Sequence, residues 1–472
     1  MALRFYNTLT RKKQDFVPIK DGKAGIYSCG PTVYDYVHIG NLRAFMCSDI
    51  LRRYLKYRGY AVTHVMNITD VDDKTIRDSI KKGISLKEHT GPYTDAFFSD
   101  LKTLNIEPVE HYPKATETID EMVALVKKLL ELGYAYRAGD GIYFSIAKFP
   151  GYGKLAGLNK AALIAGASKR VRSDEYDKDS AHDFVLWKFW DKADGDVFWE
   201  TEIGKGRPGW HIECSAMSMK YLGETFDIHT GGIDLIFPHH QNEIAQSEAA
   251  TKKRFVNYWL HNEYMLVDGE KMSKSLGNFY KLKDILERGY SPEAVRYLLM
   301  SSQYRQKLNF TFESLEAAEK AVKRFREFMD RLPDLMHDHK KAADCHDVGI
   351  ETSVEKAKAA FIDAMDDDLN ISGGLGVIFD LIREVNRLAA EAGISAKDAE
   401  QVRSVMLGFD EVLGVIREEK QDIPEDVTKI AEERKKARDA RDWKTSDMLR
   451  DKIKGMGYSI EDTKEGYRLK RA

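Results

Sequence analysis

The sequence predicts an α/β fold: a Rossmann-type domain with a parallel sheet, interrupted by an inserted module and followed by helical domains. A short strand at 25–28, a Gly-Pro loop, a helix from about 41 to 57 and a strand at 61–67 follow one another. This order is typical of a parallel nucleotide-binding unit, in which ligand residues lie at the carboxyl ends of the strands. After residue 292 the chain is mostly amphipathic helix, which indicates a separate helical part.

Length and composition set the broad class. At about 150 residues per domain, a chain of 472 residues should hold roughly three domains. A hydrophobic content of 43% with 32% charged residues is typical of a folded, well-solvated protein. The sequence has no apolar run long enough for a membrane span and no signal-peptide stretch, so we expect a cytoplasmic protein without a membrane partner. Because the formal net charge is -3, a nucleic-acid surface would have to be local.

The middle of the chain predicts an insertion between two halves of the sheet domain. Between about 108 and 204 the helical pattern gives way to clusters of Tyr, Trp, Phe, Gly and Lys. Strand-like character returns at 225–229 and leads into a Gly-Gly-Ile-Asp motif, after which Pro238 is expected to open a helix. In the first half, Thr69 or Asp70 is expected to cap the helix that follows the second strand.

Two short motifs point to chemistry at a triphosphate. Lys-Met-Ser-Lys-Ser at 271–275 places two ammonium groups and two hydroxyls on one flexible segment, a set that can stabilise charge on a breaking phosphate bond. In His-Ile-Gly-Asn at 38–41, His38 can donate to phosphate oxygens, and Gly40 lets a flat base approach the backbone. A solvated turn and a helix-start histidine are the alternative, which weakens because both motifs occur in this order.

Four cysteines raise the question of disulfides or a metal; they lie at positions 29, 47, 214 and 345. Their irregular spacing in a large chain without export signals favours thiols or metal ligands over disulfides. His239 and Glu243 lie four residues apart on a predicted helix and so share one face. Together with Cys29 and Cys214 they form a plausible zinc ligand set. Because the two cysteines are far apart in sequence, buried cysteines beside an ordinary surface helix remain the alternative.

Three longer blocks surround these residues. They read CGPTVYD at 29–35, GRPGWHIECSAM at 206–217 and GGIDLIFPHH at 231–240. The two short motifs resemble those of class I aminoacyl-tRNA synthetases, and the three blocks resemble the signature blocks of the cysteinyl-tRNA synthetase family. The resemblance runs from the first strand to the C-terminal segment at 450–471.

The resemblance implies that four residues hold a zinc ion and that the sulfur of the substrate cysteine joins its coordination shell; these are Cys29, Cys214, His239 and Glu243. Zinc lowers the pKa of a thiol and binds the thiolate strongly, whereas a serine hydroxyl stays protonated and is a poor ligand. A pocket that relied on shape alone would discriminate by only about 1 to 3 kcal/mol. Selection by the metal would therefore remove the need for an editing site.

The resemblance also implies the other site residues. The substrate cysteine would be surrounded by Gly30, Thr32, Thr69 and Trp210, with Trp210 closing the pocket. ATP, accompanied by magnesium, would be bound by His38, Gly40, Asn41, Gly231, Asp234, Lys271, Ser273 and Lys274. Catalysis would depend on His38, Asn41, Lys271 and Lys274. From the residues alone, Trp210 could equally be a core aromatic, and the threonines could be ordinary strand-end residues.

The chain departs from the family pattern at three places. Asn41 stands where a second histidine is usual, so a neutral amide replaces one donor to the phosphates. We expect this change to alter the strength of the phosphate contact without loss of activity. Gln241 replaces a common glutamate but lies off the face shared by His239 and Glu243. Gly-Tyr-Arg-Leu at 466–469 departs from a more usual Gly-Thr-x-Trp, in the region where anticodon contacts are expected.

The C-terminal region is expected to bind RNA. Over about the last forty residues Lys and Arg outnumber Asp and Glu, which gives the local basic surface that an RNA partner needs. Trp443, flanked by Arg441 and Lys444, is expected to stack on an anticodon base.

The resemblance favours a monomer. It divides the chain into the two halves of the catalytic domain at 1–107 and 205–265, the inserted connective module at 108–204, the Lys-Met-Ser-Lys-Ser loop with a stem-contact region at 266–333, a helical tRNA-binding bundle at 348–418, and a small basic anticodon-recognition module at 419–472.

The predicted function is ATP-dependent activation of L-cysteine to cysteinyl-adenylate, followed by transfer to the 3' end of tRNA(Cys). One alternative is a ligase that joins cysteine to an amino sugar, whose relatives lack a basic C-terminal module such as the one at 429–471. A second alternative is a catalytically silent nucleotide- or RNA-binding paralogue. Such a protein would be expected to lose parts of the phosphate loop, which is intact at 271–275.

Overall fold

The chain forms two compact units, Met1–Ile416 and Arg417–Ala472. The computed structural model describes residues 2–158, 170–171, 182–272, 276–335, 349–416, 424–463 and 466–471. Within these ranges, no helix combines the length and the apolar character that a membrane crossing requires.

Strands and helices alternate through most of the first unit, and helices follow one another after its last described strand. The strands are β1 (Arg4–Asn7), β2 (Lys12–Asp15), β3 (Lys23–Ser28), β4 (Ala61–Met66), β5 (Ala135–Ala138), β6 (Gly141–Phe144), β7 (Arg170–Val171), β8 (Asp183–Phe189), β9 (Gly206–Pro208), β10 (Phe226–Gly232), β11 (Val256–Asn262), β12 (Met265–Val267), β13 (Glu270–Lys271) and β14 (Leu308–Phe310). The helices are α1 (Ile39–Tyr57), α2 (Asp73–Lys82), α3 (Leu86–Thr103), α4 (Ile119–Glu131), α5 (Trp210–Leu222), α6 (Gln241–Thr251), α7 (Leu282–Leu286), α8 (Pro292–Met300), α9 (Phe312–Leu335), α10 (Ile350–Asp366), α11 (Ile371–Ala392) and α12 (Ala396–Leu413).

The central sheet consists of parallel strands in the order β11-β10-β3-β4. Ile26 and Tyr27 in β3 and Val65 in β4 are fully buried, as expected when both faces of a parallel sheet are covered. Helix α1 connects β3 to β4 and buries Leu42, Phe45 and Met46 on its inner face. The predicted α/β class with a parallel sheet is confirmed, and the strands predicted at 25–28 and 61–67 are β3 and β4.

The cap of α2 differs from the prediction. Asp72, and not Thr69 or Asp70, is the N-cap, and its carboxylate accepts a backbone N–H at 2.7 Å. The two earlier side chains are used elsewhere. Thr69 Oγ1 donates to Glu213 Oε2 at 3.1 Å, and the Asp70 carboxylate accepts from the hydroxyl of Thr116 at 2.6 Å.

The helix predicted to open at Pro238 begins later, at Gln241. Residues Ile236–His240 form a π-type turn in which Phe237 is extended, with φ -137 and ψ 133. A residue that precedes proline is driven away from the helical region by steric conflict with the ring, which explains the interruption. His239 therefore lies in the turn before α6, and Glu243 lies in the first turn of the helix.

Two further substructures complete the first unit. The inserted region contains a mixed sheet in the order β5-β6-β8-β7, with β9 paired to β8. The helices α10, α11 and α12 share one hydrophobic core with α1 and the central sheet. Within it, the rings of Phe361 and Phe409 lie 4.4 Å apart, and Tyr57 of α1 lies 5.9 Å from Phe361. The helical part is therefore packed directly on the sheet domain.

The second unit has a small core of its own. It consists of α13 (Glu425–Asp439), α14 (Trp443–Gly455) and the antiparallel pair β15 (Tyr458–Thr463) and β16 (Gly466–Arg471). Arg434 on α13 is nearly buried and pairs with Asp462 of β15 at 2.6 and 3.0 Å. The apolar core is formed by Val427, Ile430, Ala431, Leu449, Ile453 and Leu469.

Candidate active site and metal centre

A cavity of about 460 Å³ opens at the carboxyl ends of β3 and β10. This is the position at which ligands bind to open parallel sheets. The first turn of α1 forms one wall, and the segment that contains Lys271 and Met272 contributes to the lining. The sequence-predicted residues that line the cavity are Cys29, Gly30, Thr32, His38, Gly40, Asn41, Gly231, Asp234 and Lys271.

The His-Ile-Gly-Asn motif is a capping box at the start of α1. His38 Nδ1 accepts from the backbone N–H of Asn41 at 3.2 Å, and Asn41 Oδ1 accepts from the backbone N–H of His38 at 3.2 Å. The imidazole also meets the ring of Phe279 edge-on at 4.8 Å. Because Nδ1 accepts a hydrogen bond at the cap, the proton of the neutral imidazole is on Nε2.

The His-Ile-Gly-Asn motif meets the start of the Lys-Met-Ser-Lys-Ser motif at Gly40. A Cβ there would lie 2.9 Å from the His38 ring and 3.0 Å from Met272 Cε, so glycine lets the motifs approach each other. Lys271, at the end of β13, is exposed, and its Nζ lies 5.7 Å from the ring centroid of Tyr264. Ser273 and Lys274, which belong to the predicted site, lie outside the described residues, as does Ser275.

The segments after β3 and β4 are joined closely at Gly30. Its N–H donates to Asn67 Oδ1 at 2.9 Å, and a Cβ at this position would lie 1.7 Å from the backbone oxygen of Asn67. Asn67 Nδ2 in turn donates to Thr69 Oγ1 at 3.0 Å. Asn67 was not predicted as a site residue, although a polar residue directly after a buried parallel strand is a signal for one.

Four predicted ligands converge beneath the cavity: the ligand atoms of Cys29, Cys214, His239 and Glu243 lie within 4.8 Å of one another. Cys29 Sγ lies 3.9 Å from Cys214 Sγ and 3.9 Å from Glu243 Oε1, and His239 Nε2 lies 3.1 Å from Glu243 Oε1. Zinc ligands bond at about 2.0 to 2.3 Å in tetrahedral sites, so these separations suit a common centre. The end of β3, α5, the π-type turn and α6 each supply one ligand.

The charge state of this group also suits a cation. Burial opposes ionisation of the thiol, but the hydrogen bond with Cys29 and the nearby His239 lower the pKa of Cys214 to about 6. Burial would raise the pKa of Glu243, but two imidazoles, those of His229 and His239, lower it to about 2. Burial likewise disfavours an imidazolium, yet Cys214 and Glu243 raise the pKa of His239 to about 10. The Cys214 thiolate and the Glu243 carboxylate thus keep His239 protonated at the place where a metal ion would bind. The donor set is compatible with zinc.

Outer partners orient two of the ligands. His211 Nδ1 lies 2.9 Å from His239 Nδ1, and His229 Nε2 lies 3.0 Å from Glu243 Oε2. These contacts use His239 Nδ1 and Glu243 Oε2. The other polar atom of each side chain, His239 Nε2 and Glu243 Oε1, therefore faces the common centre. Such outer contacts fix the tautomer and the orientation of metal ligands.

A second group shares part of this site: Cys29 and Glu243 also converge with His229 and His240 within 4.8 Å. His240 Nε2 lies 3.3 Å from Cys29 Sγ, and its Nδ1 lies 2.7 Å from His261 Nε2. Burial and the neighbouring imidazoles hold the pKa of His240 well below its usual range, so the ring is neutral. This second group offers the imidazoles of His229 and His240 in place of the Cys214 thiol and His239.

Sequence reasoning missed this histidine cluster, which consists of His211, His229, His240 and His261. A signal was present for two of its members. His229 and His261 lie in β10 and β11, which are buried parallel strands, and a polar side chain in such a strand needs a hydrogen-bonding partner.

The other predicted substrate residues differ in position: Thr32 lines the cavity, whereas Trp210 and Thr69 do not. Trp210 is half-buried, and its ring stacks on that of His239 at 4.2 Å. Thr32 lines the cavity and forms a β-bridge with Thr69. Thr69 itself is 2% exposed, and its hydroxyl donates to Glu213.

The Gly-Gly-Ile-Asp motif forms the other wall. Asp234 is exposed at the edge of the cavity. A Cβ at Gly231 would lie 2.6 Å from His240 Cε1, so glycine is required here by the histidine cluster as well as by any approaching ligand. A Cβ at Gly232 would lie 2.4 Å from Asp234 Oδ1.

The predicted RNA residues lie at the turn between α13 and α14 in the second unit. Trp443 is 56% exposed, and the guanidinium carbon of Arg438 lies 5.7 Å from its ring centroid. Arg441 has a positive φ of 59, and Lys444 follows the tryptophan on α14. Both side chains are exposed. The turn thus presents an aromatic face beside several cations.

Comparison with known proteins defines the class. Residues 15–320 match the family described as tRNA synthetases class I (C) catalytic domain, and residues 360–417 match the DALR domain. The Mycobacterium tuberculosis methionyl-tRNA synthetase bound by methionyl-adenylate has a similar fold, with a TM-score of 0.60 and 13% identity over 83% of this chain and 90% of that chain. An Agrobacterium radiobacter LeuRS in a ternary complex with tRNA and LeuAMS has a TM-score of 0.60 and 12% identity over 85% of this chain and 84% of that chain. The chain belongs to the class I aminoacyl-tRNA synthetases.

Full-length relatives narrow the class. The cysteine–tRNA ligase of Protochlamydia amoebophila is 50% identical over 475 residues, covering 100% of this chain and 98% of that relative. The cysteine–tRNA ligase of Brachyspira hyodysenteriae is 47% identical over 473 residues, covering 99% of both chains. Within its class the chain belongs to the family of these ligases, and the resemblance inferred from the sequence is confirmed.

Proposed function

We propose that the chain activates L-cysteine with ATP to cysteinyl-adenylate and transfers the cysteinyl group to the 3' end of tRNA(Cys). One observation carries this proposal. A buried group of two thiols, an imidazole and a carboxylate lies beneath a cavity whose wall bears His38 and whose lining includes Lys271. Cysteine activation requires a group that selects a thiol and a group that stabilises charge on phosphates, and these two sets of residues would supply them.

For selection of cysteine we assign zinc to Cys29, Cys214, His239 and Glu243. Bound zinc would supply Lewis-acid stabilisation of the substrate thiolate. Cys214 and Glu243 provide the negative charge that holds the ion, and the neighbouring histidines orient the ligands. Trp210, whose ring stacks on that of His239, would close the pocket around the substrate cysteine. Serine would be rejected because its hydroxyl stays protonated and cannot replace a thiolate.

For activation, the carboxylate of cysteine would attack the α-phosphorus of ATP, and pyrophosphate would leave with the electrons of the broken P–O bond. His38 Nε2 and the Lys271 ammonium would stabilise the charge on the phosphates, together with Mg²⁺ and the predicted residues Asn41, Ser273 and Lys274. Asp234, which is exposed at the cavity edge, would accept hydrogen bonds from ribose hydroxyls, and Gly231 would leave room for the nucleotide. No side chain acts as a covalent nucleophile in this scheme.

For transfer, a hydroxyl of the terminal ribose of tRNA would attack the carbonyl carbon of the adenylate, and AMP would leave. The helices α10–α12 and the second unit would bind the body of the tRNA. The exposed ring of Trp443, with Arg441 and Lys444 beside it, supports base stacking at the end of the second unit.

Neither alternative function is favoured. An amino-sugar ligase would be expected to lack the C-terminal module, whereas the ligases compared above match this chain over its full length. A silent paralogue would be expected to lose the phosphate motifs, and both the capping box at His38 and the lysine at 271 are present.

The test is amino-acid-dependent exchange of labelled pyrophosphate into ATP, followed by charging of total tRNA with each amino acid in turn. We expect strong exchange with cysteine, exchange with serine that is at least about a hundredfold weaker, and charging of tRNA with cysteine alone. Comparable exchange with both amino acids would contradict selection by a metal. Exchange without tRNA charging, together with coupling of cysteine to an amino sugar, would favour the rival ligase.

A further inference from the structure

Three consecutive aspartates join the helical part of the first unit to its sheet domain. Helix α10 ends at Asp366, and α11 begins at Ile371. In the connecting turn, Asp368 and Leu369 have positive φ values of 64 and 54. Two successive non-glycine residues in the left-handed region are costly, and such a turn persists only when its surroundings determine it strongly. We call Asp366, Asp367 and Asp368 the aspartate joint.

Asp366 contacts the C-terminal end of α1. Its side chain is fully buried, and it accepts a hydrogen bond from Tyr54 Oη at 2.7 Å and forms an ion pair with Arg58. Burial and this carboxylate raise the pKa of Tyr54, so the phenol stays a donor. A buried carboxylate that lost either partner would be strongly destabilised.

Asp367 contacts the β1–β2 hairpin. Its carboxylate accepts from Arg4 at 2.9 Å and from Lys13 at 2.8 Å, and these contacts hold its pKa below the usual range. The residue is partly exposed, with 34% of its side chain accessible. Asp367 is therefore expected to be the weakest of the three contacts.

Asp368 contacts both the hairpin and the segment after α8. Its side chain is 1% exposed; Oδ1 accepts from the Tyr6 backbone N–H at 2.7 Å and from Tyr304 Oη at 2.6 Å. Oδ2 accepts from Arg305 Nε at 2.7 Å and from Gln303 Nε2 at 3.2 Å. Burial and this carboxylate raise the pKa of Tyr304 well above its usual range. One side chain thus holds both the hairpin and the segment after α8 to the turn between α10 and α11.

Both elements held by the joint lead to the cavity. Helix α1, held at its C-terminal end by Asp366, begins with the His38 capping box at the cavity wall. Strand β1 is followed by Thr8, whose Oγ1 lies 2.7 Å from His261 Nδ1, and His261 belongs to the histidine cluster beside the metal group. The joint therefore connects α10 and α11 to both ends of the active site through packed and hydrogen-bonded elements.

We infer that Asp366 and Asp368 are positioning residues that hold α10–α12 at a fixed angle to α1 and β1, so that tRNA bound by these helices presents its 3' end to the cavity. This inference rests on the proposed function. None of the three aspartates lines the cavity, and their partners lie at the C-terminal end of α1, on the hairpin and after α8. The cavity ends of α1 and β1 keep other contacts with the sheet domain, such as the Thr8 N–H that donates to the Trp259 carbonyl at 2.9 Å. The aspartates should therefore matter for the transfer of cysteine to tRNA and little for its activation.

The test compares Asp368→Asn with Asp380→Asn, the same substitution at an exposed site on α11, where Asp380 pairs with Arg383 of the same helix at 2.6 Å. Asparagine tolerates positive φ, so Asp368→Asn removes charge and acceptor capacity without adding backbone strain. We expect pyrophosphate exchange with cysteine, measured without tRNA, to stay within about twofold of the parent protein. We expect kcat/KM for tRNA in charging to fall at least about tenfold, with KM for cysteine unchanged. Asp380→Asn should change neither.

Tyr304→Phe provides an independent variant that removes one hydrogen bond to Asp368 and keeps the ring. It should show the same separation with a smaller loss in charging, and it decides the question if Asp368→Asn does not fold. The inference is overturned if exchange and charging fall in proportion, since that is the result of general destabilisation, or if neither changes. A parent protein without cysteine-dependent exchange would instead refute the proposed function, whatever the variants do.

Discussion

The two ends of the cavity are built in opposite ways. At the end with the proposed zinc ligands, which we call the metal end, His239 and Glu243 are 1% and 0% exposed, and each contacts a further histidine. At the end with the proposed ATP residues, which we call the phosphate end, Asn41 and Lys271 are exposed. One end is a preformed, buried group of ligands, and the other consists of polar groups that still face water.

This difference separates substrate choice from chemistry. In the buried group the electrostatic interactions are strong and fixed before any substrate arrives, as the displaced pKa values of Cys214, His239 and Glu243 indicate. At the exposed end, charges are screened by water until the substrates exclude it. Substitutions at the metal end should therefore remove metal and cysteine binding together. Substitutions at the phosphate end should slow the reaction while the metal stays bound.

The largest effect is expected for Cys214→Ser. Removing one partner from a buried charged group costs about 3 to 5 kcal/mol, which corresponds to roughly a hundredfold to several thousandfold in binding. We expect zinc content, measured by elemental analysis, to fall from about one per chain to near zero, and cysteine-dependent exchange to fall with it.

Cys47→Ser is the matched control, because Cys47 lies on α1 outside the ligand group. It should retain both metal and activity. A Cys214→Ser protein that kept its zinc and its exchange activity would disprove the ligand assignment and would favour the second group, with His229 and His240.

A smaller loss is expected for Lys271→Ala, with a different pattern. Loss of one group that stabilises developing charge costs about a hundredfold in rate. Zinc content and the dissociation constant for cysteine should be unchanged, because the residue lies at the exposed end of the cavity. The measurements are pyrophosphate exchange, elemental analysis and cysteine binding by calorimetry.

Lys283→Ala serves as its control, since Lys283 is an exposed lysine on α7 with a local partner, Glu287. If Lys271→Ala released the metal, or if Lys283→Ala slowed exchange equally, the separation of the two ends would fail.

The sequence predicted the parallel sheet, most of the helices and the four converging ligands because each depends on local pattern or on a specific motif. The helix start at Pro238 was wrong because the extended conformation of Phe237 interrupts the helix. The cap of α2 was wrong because Thr69 and Asp70 are used by Glu213 and Thr116. Both errors arise where tertiary contacts or a proline override a local preference.

The outer layer of the metal site could not be derived from spacing. His211, His229 and His261 lie on α5, β10 and β11, and only the fold brings their rings together. The aspartate joint was missed for a related reason. A run of three aspartates indicates a solvated turn in sequence, and its burial depends on tyrosine and arginine partners that lie far away along the chain.

His229→Gln tests the outer layer of the metal end. Loss of an outer partner of a metal ligand costs about tenfold to a hundredfold in metal affinity. For His229→Gln we expect zinc affinity to fall by about tenfold. Excess zinc should restore exchange, which would distinguish this variant from Cys214→Ser. His111→Gln, at a histidine that stacks on Tyr221 outside the ligand group, should bind zinc like the parent. Unchanged zinc affinity in His229→Gln would show that Glu243 needs no such support.

The smallest effect is expected for Asn41→His, which introduces the residue usual in the family. An imidazole at this position can still accept from the His38 backbone N–H, so the capping box should survive. It adds one donor at a hydrated site, where a hydrogen bond contributes about 0.5 to 1 kcal/mol, so exchange should rise about twofold to fivefold. Zinc content should not change.

Asn41→Ala, which loses the cap contact, should instead show slower pyrophosphate exchange and a lower temperature of thermal unfolding. A fall in exchange beyond tenfold in Asn41→His would mean that the amide holds His38 in a way an imidazole cannot, and that the exposed end is as tightly constrained as the buried one.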